Sequence, residues 1–117
     1  METAKLMSVL LGTIIRRLTQ LYWNTRARVQ FAIRGVHWPP GLQVQGRLGL
    51  SSPGTITLGE NVTIVNSSDY NRAGINHPTQ LVAAAGASLR IGNRVGISGV
   101  SIYCFESITI GNHVLLG

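Results

Sequence analysis

The chain has little of what a compact enzyme core is usually built from. Only 6% of its 117 residues are aromatic although 44% are hydrophobic, so the interior must be filled by aliphatic side chains rather than rings. One cysteine, Cys104, excludes an internal disulfide framework and suits a reducing compartment. Within the repeat described below, it reads as a small buried hydrophobe rather than a nucleophile. Four acidic residues in all leave little for a paired-carboxylate site, and no phosphate loop or Ser-His-Asp set is present. Long apolar runs are missing too. The stretch from Leu6 to Ile15 approaches a signal-peptide core in length, but Arg16 and Arg17 follow it with no small-residue cleavage pattern. It also falls well short of the roughly 20 residues of a membrane span. Neither export nor a spanning helix is predicted, and the expected location is cytoplasmic, with membrane-peripheral placement open.

What is present is unevenly distributed. The 14 glycines, set among β-branched aliphatics, suit a chain with many tight corners. The formal net charge of +6 belongs to the first half. Residues 1–50 hold Lys5, Arg16, Arg17, Arg26, Arg28, Arg34 and Arg47 against Glu2. Beyond them, Arg72, Arg90 and Arg94 balance Glu60, Asp69 and Glu106. Such a basic segment suits an anionic lipid surface or a nucleic acid, and equally a solvated helix face.

Met7, Leu10, Leu11, Ile14, Leu18 and Leu21 recur at helical spacing and predict an amphipathic helix over residues 4 to about 25. Arg28 would return to the apolar stripe, so the regular pattern fails near there. The stripe is expected to pack on the flank of the second half or on a neighbouring subunit. Tyr22 and Trp23 beside the arginines also suit a membrane interface, making residues 5–34 a candidate for peripheral membrane contact. Nucleic-acid binding is disfavoured, because the arginines lie on an otherwise apolar helix without a recognised motif. Trp38-Pro39-Pro40-Gly41 forbids helix continuation and permits a turn, placing a boundary between residues 1–41 and 42–117.

Beyond that boundary three segments share one pattern: Ile56-Thr57-Leu58-Gly59-Glu60-Asn61-Val62, Leu89-Arg90-Ile91-Gly92-Asn93-Arg94-Val95 and Ile108-Thr109-Ile110-Gly111-Asn112-His113-Val114. Aliphatics also recur at steps of six, as in Val44, Leu50 and Ile56, then Leu58 and Ile64, then Ile91 and Ile97. A helix has no such period, and self-similarity of this kind marks a stacked repeat. Six-residue units making one flat side and one corner each would wind the chain round a triangular prism, about 18 residues per coil. Aliphatics would point inward, and Gly59, Gly92 and Gly111 would let the chain turn. Asn61, Asn93 and Asn112 are expected to accept the corner dihedrals. The predicted fold is mainly β: a left-handed parallel β-helix of about four coils, preceded by the amphipathic helix. Gly92 to Gly111 spans 19 residues, one coil plus one, while Gly59 to Gly92 spans 33. The longer interval predicts an insertion protruding from a coil, its exit between Ile64 and Leu89 left open.

The stretches Ile91-Gly92-Asn93-Arg94-Val95-Gly96-Ile97-Ser98-Gly99 and Ile108-Thr109-Ile110-Gly111-Asn112-His113-Val114-Leu115-Leu116-Gly117 resemble the bacterial hexapeptide-repeat acyltransferases, especially the sugar O-acetyltransferases of polysaccharide synthesis. Gly74-Ile75-Asn76-His77-Pro78 is similar to the segment preceding these coils in that subgroup. The resemblance covers residues 42–117 and is more specific for fold than for substrate. It implies transfer of an acyl group, usually acetyl from acetyl-coenzyme A, to the hydroxyl of a sugar or similar small acceptor. It further implies a homotrimer with sites between neighbouring prisms and a histidine acting as general base, a role that suits imidazole. The chain departs from the family at one point. The Asp-x-Asp-Phe-His-like segment that usually carries this histidine lies beyond where the sequence stops, so a truncated form without catalytic competence is expected.

Three histidines stand in the sequence. His77, with Asn76 beside it in the inserted loop, is the candidate for touching substrate. His113 shares the repeat position of Asn61 and Arg94 and is expected to be an exposed corner. His37 has no partner in sequence. A three-histidine zinc site is disfavoured, because the irregular interval between His77 and His113 breaks their register, and no metal is expected. Two hypotheses follow: an acyltransferase or a portion of one, and a non-catalytic β-helix scaffold or assembly module.

Overall fold

A computed structural model describes residues 2–66 and 78–117. It contains one long helix followed by ten short strands. The helix α1 spans Glu2–Arg34, further at its C-terminal end than the periodicity predicts. Arg28 does not interrupt it, because a different face takes over there: Ala27 and Phe31 are buried, and the Arg28 guanidinium lies over the Trp38 ring, 4.9 Å from its centre. The helix ends on Gly35, whose φ of 71° places it in the left-handed region that glycine adopts without strain. The amide of Val36 donates to the Phe31 carbonyl at 2.8 Å and that of Gly35 to Ala32 at 3.2 Å. This pair of bonds is a Schellman closure, with Val36 and Phe31 both buried beside it.

The first coil comprises β1 (Gln43–Gln45), β2 (Gly49–Ser51) and β3 (Thr55–Leu58). The second comprises β4 (Thr63–Val65), β5 (Gln80–Ala83) and β6 (Ser88–Ile91). The third comprises β7 (Gly96–Ser98), β8 (Ser101–Cys104) and β9 (Ser107–Ile110), and β10 (Leu115–Leu116) opens a fourth. Each strand pairs in parallel with its equivalent one coil on, giving three sheets of order β1-β4-β7-β10, β2-β5-β8 and β3-β6-β9. The fold is a parallel β-helix with an N-terminal helix, as the repeat predicts.

Register explains the core. Val44 aligns with Ile64, Ile97 and Leu116. Leu50 aligns with Leu81 and Ile102, and Ile56 with Leu89 and Ile108. Like thus stacks on like along the prism, and Val44, Ile64, Leu81, Leu89 and Ile97 are completely buried. Cys104 is buried beside them, aligned with Ala83. The insertion is also placed: Ile64 pairs directly with Ile97 and Leu81 with Ile102. Gly59 to Gly92 is therefore a single coil whose extra residues leave after β4 and return before β5.

The corners differ from expectation in one respect. The left-handed position is the residue before each valine, Asn61 (φ 57°), Arg94 (φ 54°) and His113 (φ 57°). Asn93 and Asn112 stand one residue earlier and act instead as rungs. Asn93 Oδ1 accepts the Glu60 amide at 2.8 Å, and Asn112 Oδ1 accepts the Asn93 amide at 2.8 Å. Gly59 and Gly92 are likewise required by close stacking and not by an unusual φ. A Cβ on Gly92 would lie 2.5 Å from Asn112 Oδ1 and 2.8 Å from the Gly111 carbonyl carbon. The column starts before the repeat motif does: Gly41 has a φ of 74°, and the Asn61 amide donates to the Pro40 carbonyl at 3.0 Å. Trp38-Pro39-Pro40-Gly41 thus forms the first corner of the stack.

Candidate functional site

On the outside of the β1-β4-β7-β10 sheet the alternation that buries Ile64 and Ile97 turns Thr63, Val65, Gly96 and Ser98 outward. Three features make this face concave. Gly96 has no side chain, Ser98 has a short one, and Leu115 and Leu116 rise along the next strand. The result is an open groove of about 530 Å³, walled at the corner by Asn61 and Arg94. Arg94 is exposed and is the one charged side chain among the lining residues. Its position follows from the corner geometry, since a left-handed residue in the outer column projects away from the core. Leu115 leans across Gly96 closely enough that a Cβ there would meet its Cδ2 at 2.8 Å. Leu115 is nevertheless 88% exposed, an apolar rim with nothing over it among the described residues.

The groove ends where the insertion leaves the coil. There two polar residues are buried, Asn66 and Thr79, and burial of polar groups is tolerated only when their hydrogen bonds are met. The Asn66 side chain donates to the Gln45 carbonyl at 3.1 Å and accepts the Thr79 amide at 3.1 Å. The Thr79 hydroxyl donates to the Val65 carbonyl at 3.4 Å and accepts the Gly99 amide at 3.0 Å. The two stems are thereby clamped to each other and to the coils on either side. Their spacing is set by the fold and not by the intervening loop.

The predicted substrate residues Asn76 and His77 lie outside the described residues. His113 is exposed at its corner, as expected. His37 is also exposed and lines a separate hollow of about 500 Å³ between α1 and the first corner, with Arg28, Trp38 and Gln43. Among the described residues no three His, Cys, Asp or Glu side chains gather as a metal site. No described helix is long and apolar enough to cross a membrane.

Chemically the groove offers one permanent cation, the hydroxyls of Thr63 and Ser98, and an apolar floor and rim. Among the described residues, its lining includes no His, Cys, Asp or Glu. It can therefore hold and orient an extended molecule with an anionic end, whereas a proton acceptor must come from elsewhere. Sequence reasoning missed Thr63, Arg94 and Ser98 as a group. The available signal was Arg94-Val95-Gly96-Ile97-Ser98, in which Gly96 and Ser98, on either side of buried Ile97, are small and outward. Asn66 and Thr79 gave no signal, because their partners are backbone groups on neighbouring coils. Comparison of the chain with protein-family models, characterised proteins and solved structures gives no match.

Proposed function

We propose that the protein is an acyltransferase of the hexapeptide-repeat type, its coil wound left-handed, that moves an acetyl group from coenzyme A to a hydroxyl of a sugar or similar acceptor. The observation that carries this reading is the groove on the β1-β4-β7-β10 face. It is long, open, floored by small residues and bounded by a single guanidinium. A guanidinium is suited to phosphate, and the Thr63 and Ser98 hydroxyls can meet the amides of a pantetheine arm. Bound coenzyme A supplies the activated acyl group as a thioester. The protein's part is to hold the anionic end at Arg94, lay the arm across Gly96 and keep its reactive end near the clamped stems. Asn76 and His77, which directly precede Pro78 in sequence, are proposed to contact the acceptor. Three copies side by side would supply the second wall that an open groove lacks, which fits the trimer implied by the resemblance.

The test is release of free thiol from acetyl-coenzyme A by the full chain in the presence of a panel of saccharide acceptors. Acceptor-dependent thiol release, matched by acetylated product and lost in His77→Ala, is the expected result. Absence of product with every acceptor would overturn the proposal.

A second reading has one observation in its favour, namely that the described residues lining the groove include no His, Cys, Asp or Glu. On that reading the coil is a scaffold, and the groove binds without turnover. It requires a defined assembly that forms without acyl donor and is unaffected by His77→Ala, which analytical ultracentrifugation measures.

A further inference from the structure

The face of α1 that carries its apolar stripe is not the face that docks on the coil. Hydrogen bonds from the helix to the coil begin at Gln20, whose side chain donates to the Val44 carbonyl at 3.2 Å, and continue through Asn24 and Gln30. The buried residues of the helix are Ala27 and Phe31. At 100° per residue these docked positions centre about 140° round the helix from the stripe. Residues 2–18 lie ahead of these contacts, and Met7, Leu10, Leu11, Ile14, Leu18 and Leu21 are 53–65% exposed, as are Leu6, Val9 and Ile15 on other sides of the helix at 56–67%. The expectation that they pack on the flank of the repeat is not met within this chain. The apolar line continues outward through Val29 to Ile33, which is 74% exposed.

What surrounds the stripe selects its partner. By the same helical spacing Arg17 lies along one border while Lys5, Arg16 and Arg34 stand further back, and beyond residue 21 Arg26 and Arg28 lie over the Trp23 and Trp38 rings. Glu2 is the one acid of the helix. Packing the stripe against a second copy would bring these cations together with almost no carboxylate to offset them. A heptad seam also fails, since the series Met7, Leu11, Ile14, Leu18, Leu21 runs next onto Thr25 and Arg28. An anionic bilayer surface meets both needs, taking up the apolar side chains while its headgroups neutralise arginines that extend from the borders. Tyr22 is 60% exposed at the stripe's edge, packed edge-on against Trp23 at 5.0 Å, a ring placement suited to the headgroup level.

We infer that α1 lies in the plane of an anionic membrane surface through residues 7 to 21, holding the β-helix on its water-facing side. The inference is independent of the acyl-transfer proposal, because it rests on the helix alone. Co-sedimentation of the full chain is measured with vesicles of phosphatidylcholine alone and with a third of the lipid replaced by phosphatidylglycerol. Binding is expected only to the anionic vesicles and to fall steeply in high salt. Arg17→Gln, at the border of the stripe, is expected to weaken it about fivefold, and Arg16→Gln, further back, to weaken it less. The variant Leu10→Asp/Ile14→Asp changes only exposed positions and should abolish vesicle binding while leaving the thermal unfolding of the coil in place. Equal binding to both vesicle types would overturn the inference. So would absence of vesicle binding together with self-association that Leu10→Asp/Ile14→Asp disrupts, which would assign the stripe to a second copy. Retention by RNA that survives Leu10→Asp/Ile14→Asp, without vesicle binding, would likewise overturn it.

Discussion

Asn24 closes the free edge of the first strand: its Oδ1 accepts the Val44 amide at 2.9 Å. Residues Gln43 and Gln45 turn their backbone groups toward β4, so those of Val44 face the other way. An unpaired edge of this kind is where a stacked repeat would recruit foreign strands. Gln20 takes the Val44 carbonyl and also donates to Asn24 at 3.0 Å, so one pair of side chains a helical turn apart satisfies both groups. The helix is therefore the cap of the coil at this end, and its polar residues do the capping.

Asn24→Ala should accordingly leave the part-buried Val44 amide without a partner, at a cost of about 1–3 kcal/mol. Chemical denaturation of the full chain checks this. Ser8→Ala, on the exposed part of the same helix, serves as the control and should change little.

The glycines of the corner column should differ sharply among themselves. Gly92→Ala pushes a methyl into the Asn112 side chain and the Gly111 backbone, which overpacks a rigid stack at about 1–3 kcal/mol. Gly111→Ala meets nothing within 4 Å and should be close to neutral. If corner flexibility alone were at issue, the two would respond alike; differential scanning calorimetry separates the cases.

Arg94 carries opposing effects. Its φ of 54° is unfavourable for a residue with a Cβ by about 1 kcal/mol. Arg94→Gly should therefore raise the melting temperature while removing the one cation that lines the groove among the described residues. Greater stability with weaker binding of an acyl-coenzyme A is the expected combination, read by thermal melts with and without ligand.

The stem clamp yields a local prediction. Thr79→Val removes the hydroxyl that accepts the Gly99 amide, leaving that amide its longer bond to the Val65 carbonyl at 3.2 Å, at a cost of about 0.5–1.5 kcal/mol. Hydrogen exchange at the Gly99 amide should then be faster than in the unaltered protein, with the melting of the coil shifted only slightly.

Much of the coil was legible because its cause is local and repetitive. Each aliphatic at a step of six meets its own kind one coil away, so Val44, Ile64 and Ile97 announce their stacking in one dimension. The long interval was legible as an insertion for the same reason, although its exit after Asn66 was not: Asn66 is buried by bonds to Gln45 and Thr79, and nothing in its neighbours marks that. The helix misled in an instructive way. Its strongest hydrophobic periodicity identifies the exposed face, while the docked face is built from Gln20, Asn24, Ala27 and Phe31. Two of those are polar because they bond to strand-edge backbone, a demand that no apolar pattern encodes. Asn61 takes the left-handed corner as expected, but Asn93 and Asn112 were misassigned, because a propensity for left-handed geometry does not distinguish a residue adopting it from one bonding across to the next rung.

Isothermal titration of the full chain with acetyl-coenzyme A, alongside Arg94→Ala and Ser98→Trp, bears most directly on the proposed activity. Saturable binding by the unaltered protein, weakened when the guanidinium is removed and abolished when the groove is filled, is the expected result. Binding unchanged in both variants, or none by the unaltered chain at millimolar ligand, would contradict the assignment of this face as the donor site.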